Sequence, residues 1–119
     1  MVTGAIKAGL NIINAAARVS TVKRFVYLSS TVAAITVRLN ERITVGIDQF
    51  NEFAKRVAWE PPPYDGRGPH VYGASKAETE EALWKFVRDE NPGFTFNTGT
   101  TPTLSFCIVF AGAECDSIT

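Results

Sequence analysis

The stretch that most constrains the fold is Phe25-Val-Tyr-Leu28. It is short, apolar and rich in β-formers, the pattern of a buried strand in a parallel sheet. A helical pattern lies on each side of it. Over residues 3–19, Ile6, Leu10, Ile13 and Ala17 recur at spacings of 4, 3 and 4, which aligns them on one helical face. Ile12, Ala16 and Val19 widen that stripe, and Ser20-Thr21 breaks it. A second helix is predicted over residues 71–90, with Tyr72, Lys76, Thr79, Leu83 and Phe86 along one stripe and Val87 beside it. Its start is polar and its distal end apolar. Asn91-Pro-Gly93 stops it, and Phe94-Thr-Phe-Asn97 reads as the next strand. The order predicts an α/β chain with a parallel sheet.

Residues 35–63 are less regular. Glu41-Arg-Ile-Thr-Val-Gly46 fits a short strand or a loop, and Asp48 can cap a short helix from Gln49 to Val57. Pro61-Pro-Pro63 is a stiff extended segment that cannot be helix interior. Tyr64-Asp-Gly-Arg-Gly-Pro69 carries turn chemistry leading into the second helix. Trp84 is expected in helix or core packing rather than as a ligand platform.

The chemistry-bearing residues gather at two points. The strand ends in the hydroxyls Ser29, Ser30 and Thr31. In open α/β sheets ligands bind at the carboxyl ends of the strands, where a serine can hydrogen-bond a substrate oxygen. Tyr72-Gly-Ala-Ser-Lys76 places a phenol and an ammonium at i and i+4 on one helical face. A free phenol, with a pKa of about 10, is a poor acid–base group at neutral pH. A nearby cation favours the phenolate and can tune the group for proton transfer. The bare Tyr-x-x-x-Lys pattern also arises on solvated helix faces, so its meaning depends on the company it keeps.

That company resembles the extended short-chain dehydrogenase/reductase superfamily, also described as NAD-dependent epimerase/dehydratases. The branch it is most similar to is that of dihydroflavonol-reductase-like and fungal ketoreductase or aldehyde-reductase members. The resembling residues are Gly4 to Ala17, Val22 to Ala34, Trp59-Glu-Pro-Pro-Pro-Tyr64, and His70 to Glu78. The similarity then runs through Ala82 to Val87 and Phe94 to Thr98. The resemblance implies a Rossmann-type, doubly wound parallel sheet and NAD(P)-dependent reduction of a carbonyl to an alcohol, or the reverse. It assigns Tyr72 as proton donor and Lys76 as the cation beside it, which also bonds the nicotinamide ribose. Ser30 becomes the group that orients the substrate oxygen, with Ser29 or Thr31 as alternatives for that role and Thr31 and Val32 near the substrate. Tyr72, Lys76 and Ser29 become cofactor contacts. NADP or NAD is the implied cofactor, with NADPH favoured. A sugar-nucleotide epimerase or dehydratase would use the same tyrosine and lysine.

The chain also departs from that pattern. It has 119 residues, room for one small domain. It contains no Gly-x-x-Gly-x-x-Gly turn, the device that holds a dinucleotide pyrophosphate. Residues 1–98 are therefore expected to form the central part of a Rossmann-type domain, without the glycine-rich β-α-β unit and without a C-terminal substrate domain. Residues 99–119 are expected to be a divergent tail, either disordered or a truncation or gene-model artefact. Pro102 is disfavoured as a displaced counterpart of the proline that the family carries after this strand. The expectation is a fragment that is inactive on its own; a non-catalytic interaction module is the alternative. Residues 3–19 and 71–90 are the helices through which such a chain would form a homodimer.

Composition removes other classes. Hydrophobic residues make up 45% and charged residues 20%, and 12 basic residues balance 12 acidic ones for a net charge of +0. No nucleic-acid or anionic-membrane surface is expected. His70 is the only histidine, and Cys107 and Cys115 lack metal-ligand spacing, so no metal site is expected. The cysteines read as reduced thiols in a cytoplasmic protein. No signal peptide opens the chain, and Phe106 to Ala111 is too short an apolar run to cross a bilayer.

Overall fold

The computed structural model describes residues 1–36, 38 and 40–101. Most of the divergent tail, including Pro102, Cys107, Cys115 and the Phe106–Ala111 run, lies outside the described residues. The elements are α1 (Val2–Ala17), β1 (Arg24–Ser30), a 3-10 turn (Thr31–Ala33), α2 (Glu52–Trp59), α3 (Gly68–Glu90) and β2 (Thr95–Thr101). The two strands pair in parallel, in register from Arg24↔Thr95 to Ser30↔Thr101. Parallel strands need a long crossover; here the 3-10 turn, α2 and α3 supply it. This is the expected α/β architecture, a two-stranded portion of a Rossmann-like sheet.

The core sits between the sheet and the pair α1 and α3. Ile13, Leu83, Phe94 and Phe96 are buried together, with Leu10, Ala16, Phe25, Tyr27, Phe86 and Val87 packed around them. Phe25 stacks on Phe94 with ring centroids 5.7 Å apart. Trp84 meets Phe96 edge-on at 4.6 Å, so it packs on the sheet, as its place in the sequence suggested. Strand alternation sends Phe25, Tyr27 and Ser29 toward the helices. Val26 and Leu28 face the other way and are 59% and 46% exposed. Among the described residues β1 is therefore covered on one face only.

Several boundaries differ from expectation, each for a physical reason. The buried side of α1 carries Ile13 and Ala16, whereas Ile12 and Val19 are exposed. Gly9 lies at the crossing with α3, where an added Cβ would stand 2.9 Å from Thr79 Cγ2. Glu41–Gly46 takes the loop rather than the strand of its two expected forms. The cap of α2 is Asn51, not Asp48: Asn51 Oδ1 accepts from the Ala54 amide at 3.0 Å. Asn51 wins because its own amide also bonds the Ala33 carbonyl at 2.8 Å, which anchors it, whereas Asp48 is exposed in a turn. α3 begins earlier than 71, at Gly68, with Pro69 in its first turn, where a fixed φ and a missing N–H cost nothing. It ends as expected, at Asn91 in the left-handed conformation.

Candidate active site

α3 returns along the sheet from the end where β1 finishes, so its first turns and the strand-end hydroxyls share one region. Two contacts fix this placement. Lys76 Nζ donates to the Leu28 carbonyl at 3.3 Å. Gly73 is pressed against the backbone just past β1, and a Cβ there would stand 3.2 Å from both Val32 O and Ala54 Cβ. Any larger residue would push α3 back from the strand-end turn by a few tenths of an ångström.

Around this contact the chain is pinned by one buried amide. Asn51, only 4% exposed, donates Nδ2 to the Val32 carbonyl at 2.8 Å and to Thr36 Oγ1 at 3.0 Å. It thus ties the turn after Ser30 to the start of α2. α2 in turn is tied to α3, through Lys55 on Glu81 at 2.8 Å and Trp59 Nε1 donating to Glu78 at 2.6 Å. Arg67, at the head of α3, donates to the Glu60 and Pro61 carbonyls and lies over the Tyr64 ring, which holds the proline segment in place.

Tyr72 is 44% exposed, so its phenol is open to a ligand. The Lys76 ammonium lies 5.9 Å from the centroid of the Tyr72 ring and 5.4 Å from that of Tyr27. Burial raises the Tyr27 phenol above its ordinary value, outweighing the opposing pull of a hydrogen bond with Thr79, and the negative charge of Glu80 adds to the rise. The structure therefore brings Tyr72 and Lys76 together. Ser30, half-buried, is linked to them through the backbone, lying between Leu28, which bonds Lys76, and Val32, which Gly73 touches. Ser29 is 3% exposed, and its Oγ has no hydrogen-bond partner among the described residues. Its hydroxyl is enclosed rather than presented at the open side of the pair.

Three contributors escaped the sequence reading: Asn51, Gly73 and Tyr27. Asn51 carries the ordinary N-cap preference, which could have marked it. Gly73 and Tyr27 gain their roles only from contacts across the fold. Among the described residues, no group of three or more His, Cys, Asp or Glu could hold a metal ion, and no helix is long and apolar enough to cross a membrane.

No family model matches the chain. Individual proteins do. It is 38% identical over 111 residues to the NAD-dependent epimerase/dehydratase terH of Aspergillus terreus, covering 92% of this chain and 32% of that protein. It is 40% identical over 99 residues to aldehyde reductase 2 of Sporidiobolus salmonicolor, covering 82% of this chain and 29% of the reductase. A solved reductase structure, from work on the structure-guided engineering of that enzyme, superposes with a TM-score of 0.69 at 23% identity. The superposition covers 84% of this chain and 29% of that one, and it shows a shared fold. The chain thus spans about a third of the length of the curated relatives it matches.

Proposed function

Because the chain is homologous to a segment of NAD-dependent epimerase/dehydratases and aldehyde reductases, we propose that it carries the proton-transfer part of a nicotinamide-dependent carbonyl reductase. The observation that carries the reading is the Lys76 ammonium beside the exposed Tyr72 ring at the carboxyl end of β1. An ammonium and a phenol that both reach solvent there suit a ribose and a carbonyl oxygen. The described residues contain no strand running through a glycine-rich turn into a helix, so they offer no cradle for a pyrophosphate. The fit is to the nicotinamide half alone.

In this reading Tyr72 delivers its proton to the carbonyl oxygen as that oxygen gains negative charge. Lys76 stabilises the phenolate left behind and would hold the ribose hydroxyls. Ser30 donates a hydrogen bond that orients the same oxygen. The nicotinamide, when bound, supplies the hydride. NADPH is the favoured form, and the isolated chain does not turn over. The name of the Aspergillus terreus relative favours a second reading, an epimerase or dehydratase in which the same phenol carries the proton. Pairing of two copies through α1 and α3 would cover Ile12, which is 62% exposed.

The test is a chimera in which residues 1–98 replace the matching segment of aldehyde reductase 2, assayed for coenzyme-dependent aldehyde reduction. Activity should survive the graft, and Tyr72→Phe should lower kcat by about 10²–10⁴-fold, the usual worth of a general acid. A Tyr72→Phe chimera as active as its parent would end the proposal.

A further inference from the structure

We propose that Tyr27 is a positioning residue for Lys76, its ring face holding the ammonium beside Tyr72. This deepens the reading of Tyr72 and Lys76 as a proton-transfer pair and rests on it. A lysine side chain is a flexible stem ending in a point charge, so something must fix where the charge sits. Among the described residues Lys76 has no carboxylate at ion-pair distance. Its partners are the Leu28 carbonyl at 3.3 Å and two aromatic rings, of which Tyr27 is the nearer, at 5.4 Å against 5.9 Å. Both distances are within the reach at which a ring face attracts a cation.

Tyr27 suits this task better than Tyr72 does. It stands on β1, whose register against β2 pairs Tyr27 with Thr98. Its ring is half-buried, in the cleft that Gly9, Thr79 and Leu83 also line. The Tyr72 ring is exposed and free to follow a ligand. Leu28, the next residue, supplies the carbonyl, so one stretch of strand provides both holds on the ammonium. Tyr27 faces the helices rather than the open side, so it acts through Lys76 and does not touch the substrate.

The test reads Lys76 directly, by NMR of the 119-residue chain with ¹³C-labelled lysine. The Lys76 ε-methylene should be shifted upfield by ring currents and should show nuclear Overhauser contacts to the Tyr27 ring in the unsubstituted chain, which needs no variant to fold. Tyr27→Phe, which keeps the ring, should preserve the shift, and Tyr27→Met should lose most of it. Tyr72→Phe should leave it in place. In the chimera, Tyr27→Met should lower kcat about tenfold and raise the coenzyme KM with the aldehyde KM little changed, and Tyr27→Phe should restore both. Absence of the ring contact, or equal behaviour of Tyr27→Met and Tyr27→Phe, would overturn the proposal. Loss of the Tyr72 requirement in the chimera would sink the catalytic reading, while the Lys76 shift would still decide whether Tyr27 holds the ammonium.

Discussion

Asn51 donates its side-chain amide to the carbonyl of Val32 at 2.8 Å, joining residues 19 positions apart. The same side chain caps α2 by accepting from the Ala54 amide. One buried residue thus ties the turn that follows Ser30 to the helix that packs on α3. The geometry of the strand end depends on it more than on any hydroxyl there.

Replacing Asn51 with alanine should therefore destabilise the fold by about 2–4 kcal/mol. Loss of an N-cap costs about 1 kcal/mol, and leaving the part-buried Val32 carbonyl unpaired costs a further ~1–3 kcal/mol. Asn51→Asp keeps the cap and loses the donor, so it should fall between wild type and alanine. Chemical denaturation of the three chains gives the order.

Gly73 and Gly4 should respond to alanine in opposite directions. Both lie in helices, where alanine is favoured over glycine by about 1 kcal/mol. An added Cβ at Gly4 meets nothing within 4 Å, so Gly4→Ala should stabilise. At Gly73 the same Cβ would stand 3.2 Å from a backbone oxygen and from Ala54 Cβ. Overpacking of this kind costs about 1–3 kcal/mol, enough to reverse the gain. Gly73→Ala should therefore melt lower than wild type and Gly4→Ala higher.

Tyr27 sets a pH dependence of stability at the alkaline end. Burial raises its phenol pKa above the unfolded value, which is about 10. The unfolded chain then releases this proton first, so the stabilisation is complete below about pH 10 and is lost as pH rises through the folded value. Thermal melts of wild type and Tyr27→Phe should run parallel up to about pH 9 and diverge above about pH 10, with the phenylalanine chain declining less. Parallel curves throughout would mean that the phenol is not buried.

What the sequence disclosed and what it hid divide along local and non-local lines. α1, β1 and α3 were legible because each is a run of residues with one period, and Asn91-Pro-Gly93 marks its own stop. The meeting of Tyr72 and Lys76 with the end of β1 was legible because α/β sheets collect ligand groups at one end, whereas the enclosure of the Ser29 hydroxyl was not. Asn51 was not, since Asp48 is an equally good cap by local preference. The decision was made by the Ala33 and Val32 carbonyls, which come from a different part of the chain. Tyr27 read as one more apolar strand residue, because its relation to Lys76 comes from how α3 crosses β1. Ile12 and Val19 read as core because a helical stripe gives a width but not its edges. Val26 and Leu28 read as buried because an apolar run carries no information about which face is covered.

In the proposed reading Tyr72 and Lys76 face a nicotinamide at the carboxyl end of β1, and the described residues offer no cradle for its pyrophosphate. An NMR titration of the isolated chain with NADPH tests both parts at once. Binding should be weaker than about 1 mM, with shifts confined to Tyr72, Lys76 and the Leu28–Thr31 strand end. Micromolar affinity, or shifts that bypass Tyr72 and Lys76, would contradict that reading.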